Sequence, residues 1–281
     1  MFGKVVLITG STSGIGLVTA TAISAMGATV VIHGRDARLA QEVVMEIKEK
    51  TKNPAVYFLL ADLGNLSEVR SMADRFRRNF HRLDVLVNNA GAMFGKRQES
   101  VDGLEMTFQV NYLSHFLLTN LLIDMLCESA PARIVNVSAT QHERGRLDFN
   151  DLQMKKKYSA QKAYAASKLA VMLFTYEMAR RISCKGVTCN AVNPGLAKTQ
   201  LGYRSGLLTS LSKRMTDLLG KSAEKAAETT IYLATAPELE GVTGKYFEDK
   251  VEQESSEMSY NQEMAKRLWE VSMELCKLSK N

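Results

Sequence analysis

The chain has little proline and little cysteine. Four prolines stand among 281 residues, none in a cluster, and no segment is a linker, a repeat or a low-complexity tract. Disordered and collagen-like classes are excluded. The four cysteines, Cys127, Cys184, Cys189 and Cys276, form no CxxC and show no metal-ligand spacing. They read as reduced thiols, buried or incidental, in a reducing compartment. The four histidines, His33, His81, His115 and His142, have no ligand spacing either, so no metal is expected. Long apolar runs are missing, and Met1 leads almost directly into a strand. That pattern predicts no bilayer span, no leader and no anchor, hence a cytoplasmic protein, with peripheral membrane association left open. Charge of one sign is not concentrated. The net +6 comes from 36 Lys and Arg against 30 Asp and Glu, and its densest groups, Arg75 to Arg82 and Lys155 to Lys157, lack interleaved stacking aromatics. They read as solvated surface, so nucleic acid is not an expected partner.

What is present is an ordinary globular composition, 46% apolar and 23% charged, in a pattern of alternating strands and helices. Apolar runs at Lys4–Thr9, Thr29–Ile32, Val56–Leu60, Asp84–Asn88, Arg133–Val137 and Val187–Val192 predict six buried strands, with a short seventh near Gly244–Phe247. Between them, helical spacing predicts helices over Gly14–Gly27, Asp36–Lys50, a stretch capped by Ser67, Gly103–Cys127, Tyr158–Ile182 and Ala223–Ala236. A last helix is predicted at about 262–278. Continuously apolar strands alternating with helices imply a parallel sheet covered on both faces. The expectation is one α/β domain over 1–281, a doubly wound parallel sheet of about seven strands.

The first strand runs into Thr9-Gly10-Ser11-Thr12-Ser13-Gly14-Ile15-Gly16 and opens the first helix. Gly10 permits the tight turn, Gly14 the approach of backbone to a pyrophosphate, and Gly16 the close packing of helix on strand. The helix start then presents unpaired N–H groups to an anion. Gly10, Ser11, Ser13, Gly14, Ile15 and Gly16 are therefore candidate cofactor contacts. The second strand ends in Gly34-Arg35-Asp36. A carboxylate that would hold both ribose hydroxyls of NAD(H) is missing at its tip, and Arg35 suits a 2′-phosphate. NADP(H) is the expected cofactor, with NAD(H) as the alternative. On the other reading Arg35 is a solvated loop cation and Asp36 a helix cap.

Tyr164 and Lys168 stand four apart, on one helix face. A cation beside a phenol favours phenolate and lowers its pKa, which makes a Tyr–Lys pair a proton donor and acceptor at carbonyl or alcohol oxygen. Ser138 ends the fifth strand at the carboxyl edge, where its hydroxyl is placed to hold a substrate oxygen or to cap a turn. Asn88–Gly91 shares that edge. Asn111 is a polar amide inside an apolar helix and needs partners. His142, shortly after Ser138, reads as a loop residue, with the site entrance as the alternative.

These motifs, in this order, resemble the short-chain dehydrogenase/reductase family, from Gly3 to about Phe247. The resemblance implies a Rossmann-type fold and hydride transfer between a nicotinamide cofactor and a carbonyl–alcohol pair. It implies that Ser138 polarises the carbonyl and that Tyr164 is the general acid/base. Lys168 would bind the nicotinamide ribose, and Asn111 would hold a water that relays protons to Lys168. Asp62 and Leu63 would lie at the adenine, Asn89, Ala90 and Gly91 along the adenosine, and Pro194, Gly195 and Thr199 at the carboxamide. Gly34-Arg35-Asp36, the stretch from Asn136 through Leu152, and Arg267–Ser272 resemble the retinol dehydrogenase branch. Ala139-Thr-Gln141-His142 departs from that branch's Ser-x-Ala-His.

The segment at about 196–222 carries Leu207, Leu208, Leu211, Met215, Leu218 and Leu219 at helical spacing. It reads as an apolar lid over the site, or as a stripe packed on the core or on a second subunit. The expected substrate is lipophilic, of retinoid, steroid or xenobiotic type, and a homo-oligomer is left open. The competing reading is a non-catalytic NADP-binding sensor or scaffold, which has no use for the full Asn–Ser–Tyr–Lys set.

Overall fold

Strand β1 (Val5–Ile8) is apolar at every position and wholly buried, because helices cover the sheet on both sides. The computed structural model describes residues 1–182, 184, 186–195 and 221–279. In it β1 sits mid-sheet, followed by β2 (Thr29–Gly34), β3 (Val56–Leu60), β4 (Val85–Asn88), β5 (Ala132–Val137), β6 (Val187–Asn193), β7 (Tyr246–Glu248) and β8 (Val251–Gln253). Their order is β3-β2-β1-β4-β5-β6-β7-β8, all parallel except β8, which pairs antiparallel with β7.

Alternation along each strand sorts the core into two layers. Val6, Ile8, Val30, Ile32, Val85 and Val87 pack with α1 (Gly14–Ala25), α2 (Ala37–Thr51) and, further along, α6 (Ala223–Thr235). Val5, Leu7, Val31 and Leu86 pack on the other side, with α3 (Leu66–Asn79), the long helix α4 (Met106–Glu128), α5 (Ala160–Arg181) and α7 (Gln262–Leu275). The strand order reverses direction between β1 and β4, so a crevice opens at the carboxyl ends of these two strands.

Several expectations are corrected. The expected sheet of about seven strands is met by eight described ones; the sequence did not show Val251–Gln253, which is short, exposed and without an apolar run. The cap of α3 is Asn65, whose side chain accepts from Ser67 N at 3.0 Å. Helix α4 starts at Met106 rather than Gly103, because the Glu105 carboxylate caps Thr107 N and Phe108 N. A π-helical turn, Gln109–Leu113, interrupts it. Met106–Glu128 is long and apolar enough to cross a bilayer, contrary to the expectation of short apolar runs; 61% of its most apolar window is buried inside the fold. Cys127 and Cys184 are joined in a disulfide. The end of α4 and the segment before β6 converge there from 57 residues apart, a proximity that spacing along the chain hides. The reading of four free thiols thus holds for Cys189 and Cys276 only, both buried, and the argument for a reducing compartment loses its basis.

Candidate active site

The crevice at the β1–β4 switch has a volume of about 710 Å³ and runs from Gly10 and Arg35 at one end to Ser138, Tyr164 and Asn193 at the other. Its floor is the turn after β1. Gly10 has φ +62°, a left-handed conformation suited to glycine. A Cβ at Gly16 would land against the Gly10 carbonyl and 2.6 Å from Asn89 Nδ2. Helix α1 has no side-chain cap and no acidic residue in its first turn, whereas α2 and α3 are capped by Asp36 and Asn65. A helix start with open amides, no competing carboxylate and no room for side chains fits a dinucleotide phosphate.

Thr9 ties this turn to the loop after β4. Its hydroxyl accepts from Asn89 N at 2.9 Å and Ala90 N at 3.0 Å, and Asn89 Nδ2 donates back to the carbonyls of Thr9 and Gly10. Asn89, Ala90 and Gly91 line the crevice as expected. Ser13, Gly14 and Ile15 also line it, but Ser11 does not: it is fully buried, donating to Ile8 O at 2.7 Å and accepting from His33 N. Thr12 takes the place that the sequence assigned to Ser11.

At the far end of β2, Gly34 has Thr12 packed on it, and a Cβ there would lie 2.6 Å from Thr12 Cγ2. No acidic side chain fits that tip without displacing Thr12. Asp36 is committed to α2, accepting from Leu39 N at 3.0 Å. Arg35 is largely exposed, with Nη1 4.0 Å from Asp62 Oδ1. Asp62 and Leu63 line the same end of the crevice.

Helix α5 presents Tyr164 and Lys168. The Lys168 ammonium lies 5.6 Å from the Tyr164 ring centre and donates to Val137 O at 2.9 Å. Ser138 Oγ donates to Lys168 O over a long 3.3 Å. Lys168 and Ser138 are nearly buried, and burial lowers the Lys168 pKa to about 8. Burial raises that of Tyr164 above its ordinary value. The cause is desolvation of the phenolate, which runs against the lowering expected from the neighbouring ammonium.

Asn111 lies in the π turn of α4, behind the crevice. Its Oδ1 accepts from Ala92 N at 2.7 Å, and its Nδ2 donates to Ala92 O at 2.9 Å and Ser167 Oγ at 3.0 Å. The side chain fixes the loop after β4 to α5. Pro194 and Gly195 close the crevice beyond β6. Thr199 and all of the expected lid but Lys221 and Ser222 lie outside the described residues. His142 is neither a loose loop residue nor at the entrance. It is fully buried, donating through Nδ1 to Ala139 O at 2.8 Å and accepting from Ser256 N at 3.1 Å. Sequence reading also missed Met93, Phe94 and Val110 as lining residues, since nothing in their spacing separates them from core.

Residues 4–206 match the short chain dehydrogenase family. Among curated proteins, the chain is 43% identical to retinol dehydrogenase 13 of Mus musculus over 99% of this chain and 85% of that one. It is 41% identical to polyprenol dehydrogenase of Homo sapiens over 97% and 84%. Among solved structures, an uncharacterised protein from Mycobacterium paratuberculosis superposes with a TM-score of 0.79 at 30% identity, covering 98% of this chain and 94% of that chain.

Proposed function

The chain belongs to the short-chain dehydrogenase/reductase family and is an oxidoreductase acting on CH–OH groups; from that premise we propose that it is an NADP(H)-dependent enzyme that interconverts a lipophilic carbonyl and its alcohol. The observation that carries the reading is the meeting of Ser138, Tyr164 and Lys168 with the glycine turn in one crevice.

The nicotinamide cofactor, when bound, supplies or accepts the hydride. This chain's residues do the rest. Ser138 Oγ, held by a long bond to Lys168 O, turns to donate to the substrate oxygen. Tyr164 gives its phenolic proton to that oxygen in reduction and takes it back in oxidation. Lys168 holds a positive charge beside the phenol and favours its ionised form. Asn111, through Ala92 and Ser167, sets the spacing between the loop after β4 and α5, beside the proton-relaying water that the resemblance gives it. Gly10, Ser13, Gly14, Ile15 and Gly16 would cradle the phosphates. Asp62, Leu63 and Asn89 to Gly91 would flank the adenosine, and Pro194 and Gly195 the carboxamide.

Preference for NADP(H) follows from Arg35 at the crevice mouth, the side-chain-free Gly34 and the engagement of Asp36 as a cap. Lipophilic substrates are favoured by Met93, Phe94 and Val110 on the crevice wall, and the relatives are named for retinol and polyprenol. The test is a steady-state screen of retinoids, polyprenals, steroids and short polar carbonyls with each cofactor. Faster turnover of long apolar substrates with NADPH supports the reading. A preference for NADH, or for short polar carbonyls, overturns the corresponding half, and no turnover with any carbonyl overturns it whole.

A further inference from the structure

His33 is a polar residue following the apolar run Val30–Ile32 of β2, only 2% exposed, with an edge on the crevice, and the chemistry above leaves it unused. Its two ring nitrogens face opposite partners. Gly10 N donates to Nδ1 at 3.0 Å, and Nε2 lies 3.0 Å from Ala61 O. A backbone N–H can only donate, so Nδ1 carries the lone pair. A carbonyl can only accept, so Nε2 carries the proton. These partners fix one neutral tautomer. The backbone of the same residue holds the next position of the turn: His33 N donates to Ser11 Oγ at 2.9 Å, and Ser11 N donates to His33 O at 3.0 Å. Three bonds thus bind β2 to the glycine turn, and the fourth reaches the residue before Asp62.

We propose that His33 is a positioning residue for the dinucleotide, its neutral ring setting the Gly10 turn at the distance from the end of β3 that lets one ligand meet the phosphate cradle and the adenosine contacts together. The inference rests on the crevice taking a dinucleotide.

Protonation of the ring would set an Nδ1–H against the Gly10 N–H, two donors with no acceptor between them, and the turn would have to open. The groups that face His33 are Arg35 at the end of its own strand, Asp62 after β3, and His115 of α4 across Thr9. Burial lowers the His33 pKa to about 4; the Ala61 carbonyl and Asp62 push it up, and Arg35 pushes it down. The clamp therefore stays closed at neutral pH and opens in acid.

The experiment compares wild type with His33→Leu, which keeps bulk but loses both ring bonds, and His33→Asn, which keeps an acceptor near Nδ1 and cannot titrate. The readouts are NADPH and 2′,5′-ADP dissociation constants by fluorescence and calorimetry, thermal melting to confirm folding, and the imidazole 15N spectrum of the free protein. His33→Leu should weaken NADPH binding roughly ten-fold through the orphaned Gly10 N–H. The fragment, which makes the adenosine contacts without spanning the cradle, should lose less, and the loss should fall on KM rather than kcat. His33→Asn should recover most of the affinity and keep it at pH 5. The wild-type spectrum should show the Nε2–H tautomer. A protonated Nδ1 at neutral pH, equal losses for NADPH and 2′,5′-ADP, or unchanged NADPH affinity in His33→Leu overturns this inference alone. Failure of wild type to bind NADPH overturns the proposed function as well.

Discussion

Lys168 Nζ lies 5.6 Å from the centre of the Tyr164 ring, one turn along the same helix, and is anchored at 2.9 Å to the Val137 carbonyl. The carbonyl belongs to the residue before Ser138, so one strand end and one helix turn hold all three groups in register. Removing the phenol oxygen should abolish proton transfer and leave the cradle untouched. Tyr164→Phe is expected to lose at least about a thousand-fold in kcat, near the range set by general acid–base catalysis. Its NADPH dissociation constant should stay within about two-fold, and calorimetry checks this.

The charge on Lys168 gives a pH limit. Burial places its pKa at about 8, so the ammonium is charged below that value and lost above it. The phenolate then becomes harder to form. The kcat/KM for carbonyl reduction is expected to fall as pH rises through about 8. In Lys168→Arg, whose charge persists, the alkaline limb should move beyond pH 10 even if the plateau is lower. A pH profile of both proteins measures this.

On the proposed reading, Arg35 and Gly34 set a preference for NADP(H). Arg35→Ala should raise KM for NADPH about ten-fold, the worth of one charge-assisted contact, and leave KM for NADH nearly unchanged. Gly34→Asp should be destabilised by its clash with Thr12 before it gains any use of NADH. Steady-state kinetics with both cofactors and a thermal melt separate the two effects.

Two neutral imidazoles link stability to pH. Burial lowers His33 to about 4 and His115 to about 3, both below the unfolded value near 6.5. The unfolded chain therefore binds protons first as pH falls. This stabilisation is complete above pH 6.5 and is lost on descent towards pH 4 and 3. Between pH 7 and 5 each ring should cost about 2 kcal/mol of unfolding free energy. Urea titrations at the two pH values, repeated on His115→Asn, should show that share vanish.

The Cys127–Cys184 bridge lies at the amino-terminal edge of the sheet, away from the crevice. It closes a loop of 57 residues, for which chain entropy gives about 4 kcal/mol. Cys184→Ser should lower the unfolding free energy by up to that amount, with kcat preserved; denaturation and rate assays report the two quantities separately.

Seven strands, their helices and the glycine turn were legible because each is a local matter of period and of turn chemistry. Tyr164 and Lys168 were legible for the same reason, being one helical turn apart. The π turn at Asn111 was not; there the side chain is held from outside the helix by Ala92 and Ser167. Ser11 was misassigned because a serine in a turn faces either way, and the buried bond to Ile8 O decided it.

By itself the sequence determined the family, the chain order of strands and helices, and the placing of Tyr164 and Lys168 on one helix face, because periodic apolar faces and short motifs act within a few residues of each other. Only the tertiary structure decided which cysteines pair, which way Ser11 turns, how the Asn111 amide is engaged and which His33 nitrogen bears a proton. Each of these depends on atoms brought together from distant parts of the chain, and no spacing along it records that meeting.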